Sequence, residues 1–288
     1  MQSACSGQAD TQREEFRKIF RRSPQAFALN ECETQQLESL LGRGYAFAPG
    51  FFSQALVDHI HAKADAIFRN TAKPAEHRIE LEDPLVQMSE VLDIAFHEGV
   101  LKVVAHFFRH IPPLYRVAIV RYFPRDGAPY LSGFRQETHD SDSLEILVDL
   151  AAVDHTRGPL VYVPRSNLYG SCRPRLLSAF GLPADPRQLT DKEDERIYPP
   201  DTWATLSGER GSITVIHKRG LSKGPAWTVP GDINNKPRTA IRIDITGHRP
   251  GTRCDWRGNL MRKWNFERMS KFQQVFAHPA FVEEEMLA

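Results

Sequence analysis

Four cysteines in 288 residues, at positions 5, 32, 172 and 254, form no CxxC pair. Their scatter supplies neither a disulfide framework nor a zinc knuckle, and it fits a reducing compartment. Neither charge sign is in excess: 37 Lys and Arg against 36 Asp and Glu leave a formal net charge of +1. A nucleic-acid partner, which usually requires a basic surplus, is therefore not expected. No run approaches the ~18 apolar residues of a membrane span, and the opening MQSACSGQADTQREEF has no apolar leader core. A cytoplasmic protein with no membrane partner is the expectation. Glycine-rich phosphate loops of the GxxxxGK(S/T) or GxGxxG type are absent, which leaves nucleotide chemistry without support. Internal repeats and low-complexity tracts are absent too.

What remains is an ordinary globular composition, 41% hydrophobic and 25% charged, on a chain long enough for a sizeable core. Residues 1–12 are small and polar and read as a flexible N-terminus, leaving 13–288 as one domain. Residues 14–27 form an amphipathic pattern interrupted near Pro24, and residues 33–41 a short helix closed by Gly42 and Gly44. Residues 45–48 read as a strand. Ser53 caps a helix whose apolar stripe is Leu56, Ile60, Ala64 and Ile67, and residues 91–108 form a second long helix. Its histidines and those of the Ser53 helix read as structural rather than as ligands.

From Tyr115 the period changes to two. Strands are expected at 117–123, 146–150, 160–163, 212–216 and 239–245. The proline-rich, charged insert 173–202 reads as a loop shaping a pocket, and residues 261–288 as a helical tail docked by Trp264, Phe266, Met269, Phe272 and Phe276. Helices first, then strands, then a helical tail give an α+β chain with one β-rich core.

The chemistry is concentrated in Arg135-Gln136-Glu137-Thr138-His139-Asp140-Ser141-Asp142, ahead of the apolar stretch 144–153 and Gly158-Pro159-Leu160-Val161-Tyr162-Val163-Pro164. A histidine and three acids within eight residues, feeding a buried strand, suit the mouth of a β-barrel.

This wording resembles the phytanoyl-CoA dioxygenase-like family of Fe(II)/2-oxoglutarate oxygenases over roughly residues 44–246. Gly44-Tyr45 with Gly50-Phe51-Phe52 looks like that family's entry. The stretch 144–164 looks like its strand, turn and strand. Gly211-Ser212-Ile213-Thr214-Val215-Ile216 with Arg219-Gly220-Leu221 and Arg238 looks like its closing strands. The resemblance implies a double-stranded β-helix, a jelly-roll or cupin-like barrel with N-terminal helices packed on it. It also implies two histidines and a carboxylate around iron, with an arginine forking the far carboxylate of 2-oxoglutarate.

Laid on without gaps, the family's His-x-Asp falls on Arg135-Gln136-Glu137, and its late histidine falls on Ser222. Arg238 keeps the clamp position, with Arg242 close behind it as a competitor. Arginine is always cationic and cannot ligate a metal, and serine is a poor iron ligand. In this register the site is rewritten as Arg135, Glu137 and Ser222. Iron loses its ligands, while 2-oxoglutarate remains admissible through Arg238. An atypical, non-catalytic or auxiliary protein follows, with a small-molecule substrate or ligand and with an active homologue or a second copy as partner.

A shifted register keeps the metal on His139, Asp140 or Asp142, and His217, and gives an active iron- and 2-oxoglutarate-dependent hydroxylase of a small organic metabolite. It moves the late histidine five positions upstream, an odd number, which on a strand points a side chain to the opposite face. A metal-free acid–base catalyst using Glu137, His139 or His217 lacks a nucleophile paired with any of them in sequence.

Overall fold

The computed structural model describes residues 24–71, 78–82, 84–112, 114–124, 134, 143–169, 178, 181, 195–225, 236–246, 269, 270, 273 and 276. Helix α1, Glu31–Arg43, starts where Asn30 and Glu33 cap each other's backbone N–H groups. It ends at Gly44, whose positive φ of 83° lets its N–H return to the Leu40 carbonyl. Helix α2, Gln54–Thr71, follows Ser53, whose hydroxyl accepts from the Leu56 N–H at 3.4 Å. Its fully buried stripe is Val57, Ile60, Ala64 and Phe68, one step round from the expected one, so that Leu56 and Ile67 become flanking contacts.

The helix expected over 91–108 is broken in two. After the short α3, Pro84–Gln87, come α4, Val91–Ala95, and α5, Glu98–Phe108, with His97 extended between them. The rings of Phe51 and Phe52 pack edge-on against His97, at 5.0 and 5.4 Å. The Phe96 carbonyl accepts from the Gln273 side chain at 2.8 Å. Packing from both sides takes over from the helical ladder at this point. Of the tail, Met269 and Phe276 are buried in the same core, as docking residues should be.

Six antiparallel strands make the main sheet: β1 Tyr45–Ala48, β2 Arg78–Glu82, β3 Leu114–Tyr122, β4 Ser143–Asp149, β7 Ile213–His217 and β9 Arg238–Thr246, in the order β1-β7-β4-β9-β3-β2. A three-stranded sheet, β6-β5-β8, is built from β5 Leu160–Tyr162, β6 Ala204–Leu206 and β8 Ser222–Lys223. The pleat sorts the main sheet into two faces. Ile146, Val148, Ile213, Val215, Ile241 and Ile243 pack under the helices. Leu147, Ile216 and Ala240 point the other way, against Leu160, Tyr162 and Leu206 of the small sheet. Helices on one side, and a second sheet facing the other, form the layers of a double-stranded β-helix. Among the described residues the two sheets do not join into a closed barrel. No helix of the described residues is long and apolar enough to cross a membrane.

Three of these strands had no signal in the sequence reading. Strand β2 is mostly charged, and β6 and β8 are too short to show a period.

Candidate functional site

The inner face of the main sheet carries charge where a core would carry methyl groups. On β4 the inward residues include Glu145, Leu147 and Asp149; on β9 they include Arg238, Ala240, Arg242 and Asp244. In register, Glu145 lies opposite Asp244, Leu147 opposite Arg242 and Asp149 opposite Ala240. Each acid therefore reaches an arginine diagonally, two places along the neighbouring strand, a span that long side chains cover.

The first diagonal pair is Asp149 with Arg238. Arg238 Nε donates to Asp149 Oδ1 at 2.9 Å, and the side chains are 2% and 1% exposed. Arg238 Nη1 donates to the Gly158 carbonyl at 3.2 Å, while Nη2 is buried with no hydrogen-bond partner among the described residues. Burial pushes the Asp149 carboxyl above its usual range, against the pull of Arg238.

The second pair is Glu145 with Arg242, 3.1 Å apart, and it has further members. Asp244, on the same strand as Arg242, accepts from its Nε and Nη2 at 3.1 Å each, and Lys218 Nζ donates to Asp244 at 2.9 Å. Burial acts to raise the Asp244 carboxyl, but Arg242 and Lys218 together hold it below the ordinary value. Burial also works against the Arg242 charge and is outweighed by Glu145 and Asp244, so its pKa is raised. Tyr122 stands opposite Arg238 across β3 and β9, and its phenol is pushed up to about 12, first by burial and then by Glu145.

Ser222 belongs to this interior. It stands opposite Tyr162 across β8 and β5, and directly opposed residues of an antiparallel pair share a face. Tyr162 packs between the sheets, its hydroxyl donating to the His217 carbonyl at 3.3 Å, so Ser222 is on the side that faces Leu147 and Ala240. The neighbouring Leu221 is on the outer face of the small sheet, in one cluster with Val161, Val163 and Phe134. Phe134 is 1% exposed and meets Trp203 edge-on at 4.9 Å. The residue just before Arg135 and the residue just before Ser222 thus belong to one buried cluster. Arg135, Glu137, His139, Asp140 and Asp142 themselves lie outside the described residues.

His217 falls on the other side of the sheet. It alternates with Ile213 and Val215, its ring lies edge-on to Phe107 of α5 at 5.4 Å, and its Nδ1 accepts from the Arg219 N–H at 3.2 Å. His217 and Ser222 therefore point into different layers. Among the described residues no cluster of three His, Cys, Asp or Glu side chains is arranged to hold a metal. An apolar cleft lined by Ala46, Ala48, Phe51, Val103, Ile213 and Val215 also lies in the helical layer, on the face away from Arg238.

Arg238, Arg242 and Ser222 stand out in the sequence, whereas Glu145 and Asp149 are not among its candidates. The signal was present: two acids four apart in an apolar strand, and two arginines four apart in a later one. Antiparallel pairing matches such spacings.

No protein-family profile and no curated protein sequence matches this chain. Solved structures do. The non-heme alpha ketoglutarate dependent carbocyclase SnoK from nogalamycin biosynthesis superposes with a TM-score of 0.54 at 16% identity, covering 82% of this chain and 94% of its own. EvdO2 from Micromonospora carbonacea var. aurantiaca, complexed with 2-oxoglutarate, gives 0.52 at 16% identity, with 80% and 97% covered. HygX from Streptomyces hygroscopicus, with nickel and 2-oxoglutarate bound, gives 0.51 at 15% identity, with 76% and 87% covered. At such identities the likeness establishes the fold, the double-stranded β-helix that 2-oxoglutarate-dependent enzymes use.

Proposed function

We propose that this chain is a phytanoyl-CoA-dioxygenase-like protein with a small-molecule site between its sheets and a rewritten iron centre, acting as a non-catalytic or auxiliary member of the oxygenase superfamily. The observation that carries the reading is the shared anchoring of Phe134 and Leu221, with Ser222 turned inward. It supports the gap-free register, in which Arg135, Glu137 and Ser222 stand where two histidines and an aspartate would hold iron. A guanidinium and a hydroxyl are not iron ligands, so the described and inferred members of this set do not fit the metal. The orientation of His217 towards Phe107 counts against the rival set of His139, Asp140 or Asp142, and His217. What the protein does then rests on what it binds: a metabolite between the sheets, with an active homologue or a second copy as partner.

Anaerobic titration with Fe(II) and 2-oxoglutarate tests this reading. The expected result is no visible charge-transfer band of a chelated 2-oxoglutarate–iron complex. A band that disappears in His139→Ala would replace the reading with the live hydroxylase.

A further inference from the structure

The resemblance drawn from the sequence puts Arg238 at the position that would fork a dicarboxylate, and an arginine that does so needs its charge and one edge of its guanidinium available. Here both are largely committed. Asp149 takes Nε, the Gly158 carbonyl takes Nη1, and the ion pair is buried to within 2% of full enclosure on both sides. A second carboxylate arriving at Arg238 would meet a neutral pair rather than a cation. It would add a net negative charge to a desolvated spot, where the attraction of Arg238 is offset by repulsion from Asp149. What the pair still offers is Nη2, a buried donor with no partner among the described residues. A buried unsatisfied donor costs free energy until an acceptor reaches it, and an uncharged acceptor does so without the charge penalty.

We propose that Asp149 is a built-in occupant of the anion position, so that the interior refuses dicarboxylates such as 2-oxoglutarate and receives a ligand ending in a neutral acceptor, a carboxamide or carbonyl, at Arg238 Nη2. This deepens the proposed function and rests on its placing of the ligand between the sheets. Asp149 is a specificity-determining residue in this scheme, and no bond is made or broken.

The test is calorimetric titration of the full chain, with no metal added, using glutarate and its half-amide glutaramate as probes. The unmodified protein should bind glutaramate at least tenfold more tightly than glutarate. Asp149→Asn retains an oxygen for Arg238 Nε but removes the charge, and it should invert that preference. Adding Arg238→Met to Asp149→Asn should abolish the gain for glutarate. The proposal is overturned if the unmodified protein prefers glutarate, if Asp149→Asn leaves the preference unchanged, or if neither probe binds either protein at millimolar concentration. Comparison of the two probes on the unmodified chain stands even where the buried variant does not fold. Because no iron is present, a failure here leaves the rewritten iron centre standing. An iron–2-oxoglutarate band in the earlier titration would remove both.

Discussion

Replacing Arg242 by alanine tests whether the inner sheet face is a closed, charge-held layer. Glu145 and Asp244 both lean on this guanidinium at 3.1 Å, and all three side chains are about a tenth exposed. Removing one partner of a buried pair costs about 3–5 kcal/mol, because a desolvated charge is left behind. Asp244 keeps Lys218 at 2.9 Å, which shares the load and moves the expectation to the lower end, about 3 kcal/mol. A solvent-exposed pair would cost only about 0–1 kcal/mol. Arg242→Met keeps most of the stem, so the part of the loss it reproduces is charge and the remainder is packing. The triple change Glu145→Gln, Arg242→Met, Asp244→Asn removes the ions together and should recover most of the stability, since buried networks exchange for neutral groups at little cost. Urea unfolding of the four proteins, compared at equal m-values, reads these differences directly. A loss below about 1 kcal/mol for Arg242→Ala, with m unchanged, would show that water reaches this network and that its ions are not held as a buried group.

Two further outcomes are expected. Lys63, hydrogen-bonded at 2.7 Å, is the main cause that lowers the Glu90 carboxyl from 4.5 to about 2, with His59 assisting. A depressed folded pKa gives stability that is present above pH 4.5 and is lost as pH falls towards 2, so acid unfolding of Glu90→Gln should lack that component; identical acid profiles would refute the linkage. Phe134→Ala should cost about 3–5 kcal/mol in urea, as for a fully enclosed aromatic ring, and Phe134→Leu well under half of that. A negligible loss would detach the polar stretch 135–142 from β8 and remove the observation on which the proposed function stands.

The sequence was legible wherever one physical rule acted alone. Strand β9 alternates Ile241, Ile243 and Ile245 with polar residues, and those three isoleucines do enter the helical core. Asn30 and Gly44 bracket α1 by capping and by a left-handed turn, and the helix was visible apart from two residues at each end. Legibility failed where tertiary contacts overruled local pattern. The apolar run 91–108 has helical spacing throughout, yet Phe51, Phe52 and Gln273 act on residues 96 and 97 and divide it. Strand β2 displays Arg78, Glu80 and Glu82, a pattern that reads as solvated surface. It is a strand because Arg116 of β3 binds both Glu80 and Glu82 from alongside.

The candidate site was half legible for a related reason. An arginine in a strand can be read from sequence, but whether its charge is still available depends on its diagonal neighbour. Arg242 and Arg238 are alike in residue type, strand and inward direction, and both have an acid two places along on β4. They differ in what else arrives. At Arg242 a second carboxylate, Asp244, and a second cation, Lys218, join a network of at least four charges among the described residues. At Arg238 one carboxylate and one carbonyl arrive, and one buried donor is left over. The first arrangement holds the sheet together and gives a ligand little to add. The second is a neutral pair with a hydrogen bond still to make among the described residues, and on that difference the proposal of an uncharged ligand end at Arg238 rests.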